Sequence, residues 1–361
     1  MSSKEGHDYA PSGKPNPVVK PGEFVFAAAY LDHGHIYGQC NGLIEAGGTL
    51  KVVYDTDPKR AEGFQAKYPQ VKIVNSFEKI LEDKEIQLVA AAAVPSERSR
   101  IGNAVLQSGK DYFTDKSPFT TLEQLAETKK VVAATGKKYM VYYSERLHVE
   151  SAWYVGELIQ QGAVGQVIQV LNLAPHKLSK PSRPDWFFDK AQYGGILTDI
   201  GSHQFEQFLS YTGAKDASIN FARVDNFANT DKPGFEDFGE ASLKADNNAS
   251  YYCRLDWFTP NGLQGWGDGR LFILGTQGYI EVRKYMDFTR QTGGDLVLIA
   301  DQEKEQLIDC KGKVGFPYFG QLILDCLNRT EKAMTQEHAF KASELAMLAQ
   351  KKADETRSLS H

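Results

Sequence analysis

Asp199 and His203 stand four residues apart in the run Gly194-Gly195-Ile196-Leu197-Thr198-Asp199-Ile200-Gly201-Ser202-His203. On a helix that spacing puts both side chains on one face. An imidazole titrates near neutrality and a carboxylate beside it can fix its tautomer, so the pair has the composition of an acid–base unit acting on a hydroxyl. The two glycines would let a substrate approach the backbone. A plainer reading of the same residues makes Asp199 a helix N-cap and His203 a packed histidine. Nearer the N-terminus, His33 and His35 flank Gly34. A two-residue spacing with no nearby third ligand does not make a metal site, so no metal is expected and the pair should line a cofactor loop.

The elements around these residues predict how they are positioned. At 361 residues the chain should form two domains. Residues 1–22 are polar and rich in Pro, Gly and Lys, and read as a loose tail without a secretory signal. Residues 23–143 alternate between short apolar runs and helical segments. Strands are expected at 23–29, 50–54, 71–74, 86–94, 112–114 and 138–142, which is the signature of a doubly wound parallel sheet. Such sheets bind ligands at the carboxyl ends of their strands. The first loop lacks the Gly-x-Gly-x-x-Gly fingerprint and reads Leu31-Asp32-His33-Gly34-His35-Ile36. A diphosphate is therefore expected to rest on backbone N–H groups around His33 to Ile36 at the helix start. Asp55, at the end of the second strand, is placed to bond ribose hydroxyls and to favour NAD over NADP, although Lys59 and Arg60 could rescue a 2′-phosphate and a strand-end turn would also account for it.

From Asp55-Thr56-Asp57-Pro58, Val94-Pro95-Ser96-Glu97, Gly109 to Lys116, the Gly194 to His203 run and Gly275-Thr276-Gln277-Gly278, in that order, the chain resembles the glucose-fructose oxidoreductase / inositol 2-dehydrogenase / rhizopine catabolism (Gfo/Idh/MocA) oxidoreductase family. The resemblance covers nearly everything after the tail. It implies that Lys116 touches both nicotinamide ribose and substrate. The family's Glu-Lys-Pro is here Asp115-Lys116-Ser117-Pro118, with the lysine kept and the proline one place later. It further implies that Asp199 and His203 are the catalytic pair and that the loop Val94, Pro95, Ser96, Glu97 packs under the nicotinamide. A homodimer or homotetramer formed through an open sheet face is implied as well.

After residue 143 the alternation ends, and residues 144–361 are expected to form a substrate-binding and oligomerisation domain of α+β type with a large, open, mainly antiparallel sheet. Its strands are read at 164–174, 241–245, 249–258, 271–274, 279–282 and 296–299, followed by helices near 319–329 and 338–357. Residues 180–193 read as a long loop that could wall a polyol pocket. Trp186, Phe187 and Tyr193 would stack on a sugar ring while Arg146, His176 and Arg183 bond its hydroxyls, although each aromatic also reads as packing. No role follows for Gly265 to Arg270.

Composition narrows the classes. With 42% hydrophobic and 24% charged residues and a net charge of −5, the chain is not built around a nucleic-acid groove. No run approaches the roughly 18 apolar residues of a membrane helix, and a cytoplasmic protein with a small-molecule ligand is expected. The cysteines, Cys40, Cys253, Cys310 and Cys326, show no disulfide or zinc spacing. The expected reaction is NAD(P)-dependent oxidation of a secondary alcohol on a sugar, inositol or related polyol. In it His203 takes the hydroxyl proton, Asp199 orients the ring and Lys116 bonds the reacting oxygen. Two other functions fit the same resemblance: a non-catalytic dinucleotide sensor, and a lyase or glycosidase that oxidises its substrate transiently.

Overall fold

The computed structural model describes residues 11–263, 265–287, 289 and 293–358, in two compact units. The first unit comprises Lys14–Tyr142 and Gly315–Ala339. Its sheet has six parallel strands in the order β3-β2-β1-β4-β5-β6: β1 (Val25–Ala29), β2 (Thr49–Tyr54), β3 (Lys72–Ile73), β4 (Leu88–Ala91), β5 (Asp111–Asp115) and β6 (Tyr139–Tyr142). Helices α1 (His35–Glu45), α2 (Pro58–Lys67), α3 (Glu78–Glu82), α4 (Arg98–Gln107) and α5 (Leu122–Thr135) connect them. The central strands are buried on both faces, which is why they read as unbroken apolar runs. Alanines of β1 and β4 lie directly opposite one another, Ala28 on Ala90 and Ala29 on Ala91. Helix boundaries follow local chemistry. Asp57 accepts from the Lys59 amide ahead of Pro58, and Thr121 caps α5, which ends on Gly136 at φ +63°.

Residues 315–339 belong with this sheet, although they follow the C-terminal strands in sequence. Helix α11 (Pro317–Asn328) sets Phe319 over Gly42 of α1. Arg329 donates to both oxygens of buried Asp111, at 2.8 and 2.6 Å. Gln336 pairs with the backbone of edge strand β6, accepting from the Tyr139 amide and donating to its carbonyl, so that the edge is covered. The described part of the expected tail is not loose. Val18 donates to the Ala46 carbonyl in this unit, and in the second unit the amides of Ser12, Gly13 and Gly312 converge on the buried carboxylate of Glu150. These are long-range backbone bonds that composition does not reveal. Residues 1–10 lie outside the described residues.

The second unit holds the eight-stranded sheet β14-β13-β12-β11-β7-β10-β9-β8. Its strands are β7 (Val167–Pro175), β8 (Ala217–Asp225), β9 (Phe238–Ala245), β10 (Ser250–Asp256), β11 (Arg270–Gly275), β12 (Gly278–Arg283), β13 (Leu296–Asp301) and β14 (Glu305–Asp309). All neighbours are antiparallel except β7 and β10. One face, including Leu243, Tyr251, Cys253, Leu271, Ile273, Ile280 and Val282, is buried. Helices α6 (Ser144–Leu147), α7 (Glu150–Gln160), α8 (Lys190–Tyr193), α9 (Ile196–Asp199), α10 (Gly201–Thr212) and α12 (Gln336–Ser358) complete the unit, α12 from Phe340 onward. The two strands unforeseen from sequence, β8 and β14, are the two edges of the sheet, whose mostly exposed residues carry no clean apolar alternation. The expected loop 180–193 contains two 3₁₀ turns, Lys180–Ser182 and Asp185–Phe188, before α8. Among the described residues no helix is long and apolar enough to cross a membrane.

A Cβ at Gly42 would fall 2.3 to 2.5 Å from three Phe319 ring carbons. Gly42→Ala is therefore expected to lower stability by about 1–3 kcal/mol through overpacking. A denaturant midpoint equal to that of the unaltered chain would contradict this packing of α1 against α11.

Candidate functional site

In the first unit the chemistry gathers at the carboxyl ends of β1, β4 and β5. Asp115, the last residue of β5, is wholly buried and carries the arrangement. Its two oxygens meet His35 Nδ1 at 2.8 Å and His33 Nδ1 at 3.0 Å, and they accept from the Lys116 amide at 2.8 Å and Arg98 Nη2 at 3.2 Å. Burial alone would push the Asp115 carboxyl up; His35, Arg98 and His33 outweigh it and hold the group well below the usual carboxylate range. Burial drives His33 the other way, to about 3, helped by neighbouring His35. Arg98, absent from the sequence reading, also donates to the carbonyls of Ala93, Lys116 and Ser117. It thereby fixes the loop after β4 against the end of β5. The only hint of it in the sequence is an arginine opening the helix after Val94-Pro95-Ser96-Glu97.

The third ligand that the His33–His35 spacing lacked is supplied by Asp115, 80 residues away from His35 in sequence. The ligand atoms of the three lie within 4.8 Å of one another. The Arg98 guanidinium, the adjacent Lys116 and the positive end of α1 surround them, an environment that suits an anion better than a metal ion.

The loop after β1 differs from expectation. The Leu31 amide donates to Asp55 Oδ2 at 2.6 Å, the His33 amide to the Ala92 carbonyl at 3.0 Å and the Ile36 amide to the His33 carbonyl at 3.3 Å, so backbone donors expected to receive phosphate are already engaged. The amides of Asp32 and Gly34 find no acceptor among the described residues, and α1 has no side-chain cap. Side chains of Leu31 and Ile36 are core. Asp55 has no exposed side-chain surface: Oδ1 accepts from the Asp57 amide and from Arg60, and Oδ2 from Leu31. Arg60 also reaches Asp32 at 3.0 Å and so lies across the two carboxylates. Burial raises the Asp32 carboxyl against the pull of Arg60. Val94 precedes a single 3₁₀ turn, Pro95–Glu97; there the Ser96 carbonyl accepts from Gln124 and Glu97 pairs with Arg100. An open helix start, two unengaged amides and a strand-end acid fit a dinucleotide, with less backbone than a glycine loop would offer.

In the second unit Asp199 and His203 are both buried. Asp199 does not cap a helix: it ends α9, and Ile200 keeps helical angles (φ −67°, ψ −43°) into α10, which carries His203. Capping falls to two residues the sequence reading missed. Glu236 Oε2 accepts from the Ile196 amide at 2.9 Å, and Gln350 Oε1 accepts from the Leu197 amide at 3.0 Å. Gln350 and Lys190 in turn bond Glu236. Gly195 sits at φ +92°, and a Cβ there would meet Gln350 atoms at 2.3 Å, so the glycine is demanded twice over.

Around α10 lies a buried ionic network. Glu145 accepts from Gln204 at 2.8 Å and from Lys284 at 3.2 Å, and its Oε1 lies 3.4 Å from His176 Nε2. Burial would raise the Glu145 carboxyl, but Lys284, His176 and His203 hold it well below the usual range. Burial lowers Lys284 against the pull of Glu145. His176 is sandwiched by Trp266 at 4.4 Å and Trp257 at 5.3 Å. Trp266 gives the Gly265–Arg270 loop a part in walling His176; Asp268 braces that loop by pairing with Arg270 and Arg283. The other expected sugar contacts disperse. Arg146 forms a two-pronged pair with buried Glu206, and the Tyr193 hydroxyl accepts from the Glu236 amide. The Arg183 guanidinium covers Phe187 at 4.6 Å and Trp257 at 5.3 Å while donating to the Leu178 carbonyl. Trp186 packs 5.8 Å from Phe187, which is itself core.

Two family models match the chain: one described as an oxidoreductase family with an NAD-binding Rossmann fold, over residues 26–143, and one as the GFO/IDH/MocA C-terminal domain, over residues 153–281. The chain belongs to this oxidoreductase family. A provisionally assigned oxidoreductase from Erwinia carotovora atroseptica SCRI1043, solved as a crystal structure, is 46% identical, with a TM-score of 0.89 over 92% of this chain and 99% of that one. Levoglucosan dehydrogenase in complex with NADH and levoglucosan shares the fold, with a TM-score of 0.76 at 15% identity over 92% of this chain and 97% of that one. D-xylose dehydrogenase from Paenarthrobacter nicotinovorans is 22% identical over 52% of this chain and 47% of its own length. The chain spans about half the length of the curated relatives it matches.

Two outcomes follow from this geometry. Glu236→Ala leaves the start of α9 without its acceptor and should lower stability by about 1–3 kcal/mol, whereas Asp199→Asn should change it by less. Equal losses in chemical denaturation would return the capping role to Asp199. Asp115 and Glu145 are held ionised in the fold below the pH at which an unfolded carboxyl takes a proton. Their contribution is thus complete above about pH 4 and disappears as pH falls further. Urea midpoints measured from neutrality downward should drop there, and less steeply for Asp115→Asn.

Proposed function

We propose that the protein is an NAD-dependent dehydrogenase that oxidises a secondary alcohol of a sugar, inositol or related polyol. The observation that carries this reading is the buried Asp199–His203 helix, anchored by Glu236 and Gln350, in a chain whose other unit is an NAD-binding Rossmann fold. The nicotinamide supplies a hydride acceptor at C4 when bound. In this reading His203 takes the hydroxyl proton, Asp199 stabilises the ring once it is charged, and Lys116 hydrogen-bonds the reacting oxygen.

A neutral substrate is supported by how the nearby cations are balanced, Lys284 by Glu145 and Arg146 by Glu206. His176 and Arg183, set beside Trp257 and Trp266, are the polar groups best combined with aromatic surface for a polyol. Arg146 and Tyr193 serve structure in this reading. Sugars named for relatives, levoglucosan and D-xylose, point the same way. NAD is favoured over NADP because Asp55 stands where a 2′-phosphate would be repelled, with Asp32 adding a second carboxylate across Arg60. A homo-oligomer is supported by partly exposed apolar residues on the large sheet, among them Ile168, Phe221 and Leu274.

The test is a screen of polyols, inositols and sugars with NAD, followed by absorbance of accumulating NADH. His203→Ala and Lys116→Ala should each lower turnover by roughly 10²–10⁴-fold with little change in dinucleotide affinity. Asp199→Asn should slow turnover without loss of fold. Variants turning over at the unaltered rate would remove these residues from the chemistry. Turnover of a glycoside without net NADH would make the protein a lyase or glycosidase instead, and dinucleotide binding with no turnover across the screen would favour a sensor.

A further inference from the structure

The carboxyl ends of the first sheet form the cofactor edge in the reading above. The opposite edge, where β4, β5 and β6 begin, carries a different chemistry. Helices that cross between parallel strands end at this edge, so the negative poles of their dipoles collect there and draw cations. Lys84 follows α3, Lys110 follows α4, Lys137 follows α5 and Arg329 follows α11. One such cation after a helix is ordinary. Here all four line a single cavity of about 280 Å³.

Charge in this cavity is unbalanced. Among the described residues no carboxylate lines it. Asp83, close by, is paired with Lys51 at 2.6 Å, and Asp111 accepts from Arg329 through both oxygens. The ammonium groups of Lys84 and Lys137 have no such partner among the described residues. Lys110 is only 3% exposed, and its Nζ donates to the Asp83 backbone carbonyl at 2.7 Å, which leaves two of the three N–H groups of its ammonium. Burial lowers the pKa of that ammonium, and Lys84 and Lys137 lower it further against the pull of Asp83. Lys110 is therefore repelled by both neighbours, an arrangement that costs stability until a negative charge enters.

We propose that this cavity binds a small dianionic oxyanion, inorganic phosphate or a phosphate monoester. Charge sets the number: two negative charges offset Lys84 and Lys137, while Lys110 and Arg329 keep the partners they have. An extended polyanion is disfavoured because the chain as a whole carries a net charge of −5. Size sets the class. A single water takes about 30 Å³ in the liquid, so a cavity of about 280 Å³ admits a phosphoryl group with a short organic remainder. Phe24 and Ile86 give part of the wall an apolar surface for that remainder. Gln87 also lines the cavity; its Oε1 accepts from the Val25 amide at 2.8 Å, which leaves its amide nitrogen as a donor. The site is distinct from the Asp115 cluster, since β5 runs from Asp111 at this edge to Asp115 at the other, and it does not depend on the NAD reading.

Calorimetric titration of the full chain in HEPES buffer, with inorganic phosphate and separately with glycerol 3-phosphate, tests the site. Binding should be saturable, and the double variant Lys84→Gln, Lys137→Gln should weaken it by roughly tenfold or more. Lys84 is exposed and Lys137 half-buried, so the variant keeps its fold. Relieved of like-charge repulsion, it should melt in phosphate-free buffer no lower than the unaltered chain. Phosphate should raise the melting temperature of the unaltered chain more than that of the variant. Tighter binding of the ester would make the ligand a phosphorylated metabolite, and equal or tighter binding of phosphate would make it the free ion. Absence of saturable binding of both probes would overturn the inference. So would binding that the double variant leaves unchanged, because the phosphate would then rest elsewhere, such as on the open start of α1. A lower melting temperature of the variant without phosphate would overturn it too, since the lysines would then be serving the helix ends.

Discussion

A carboxylate withdrawn from water stays ionised only if its oxygens are answered by donors and positive charge, and the first unit is organised around meeting that demand for Asp115. Two imidazoles, a guanidinium and a backbone amide converge on it. These groups come from the loop after β1, the start of α4 and the residue following β5, so one charge ties together the strand ends where a doubly wound sheet binds its ligand. Arg98 extends the tie by bonding three carbonyls besides. The loop geometry that looks, by sequence, like a degraded glycine motif is thus held by other means.

The second unit meets a similar demand at the start of α9. The glycine pair turns the chain through left-handed angles, and the helix that follows would leave its first amides bare. Buried Glu236 and Gln350 take them, and Lys190 balances the charge. Because capping is done from outside, Asp199 is released from the local role its residue type suggests. Nearby, Glu145 and Glu206 neutralise Lys284 and Arg146, leaving a buried environment rich in hydrogen-bonding groups yet balanced in charge. Such a setting suits hydroxyl recognition, in which orientation matters more than attraction between ions.

Local pattern was enough for much of this architecture. Unbroken apolar runs at β1 and β4, turn residues such as Asp57-Pro58 and Gly136, and the loss of βα alternation after Tyr143 mark the parallel sheet and its end. Asp199 and His203 were legible because a four-residue spacing is itself a statement about a helix face. Strands β8 and β14 were not, since an edge strand buries too little to impose alternation on its residues.

Sequence by itself therefore determined the class of each unit, the helical segment that carries Asp199 and His203 on one face and the absence of a glycine fingerprint, all properties carried by residues near one another in the chain. Tertiary structure alone decided which groups answer which. It set Asp115 against His33 and His35, joined Arg146 to Glu206, and brought Glu236 and Gln350 to α9 across separations of 40 and 153 residues. It also fastened residues 315–339 to the first sheet. The physical reason is the same in each case: burial makes a polar group seek whatever partner the fold brings within about 3 Å, and sequence distance does not enter that energy.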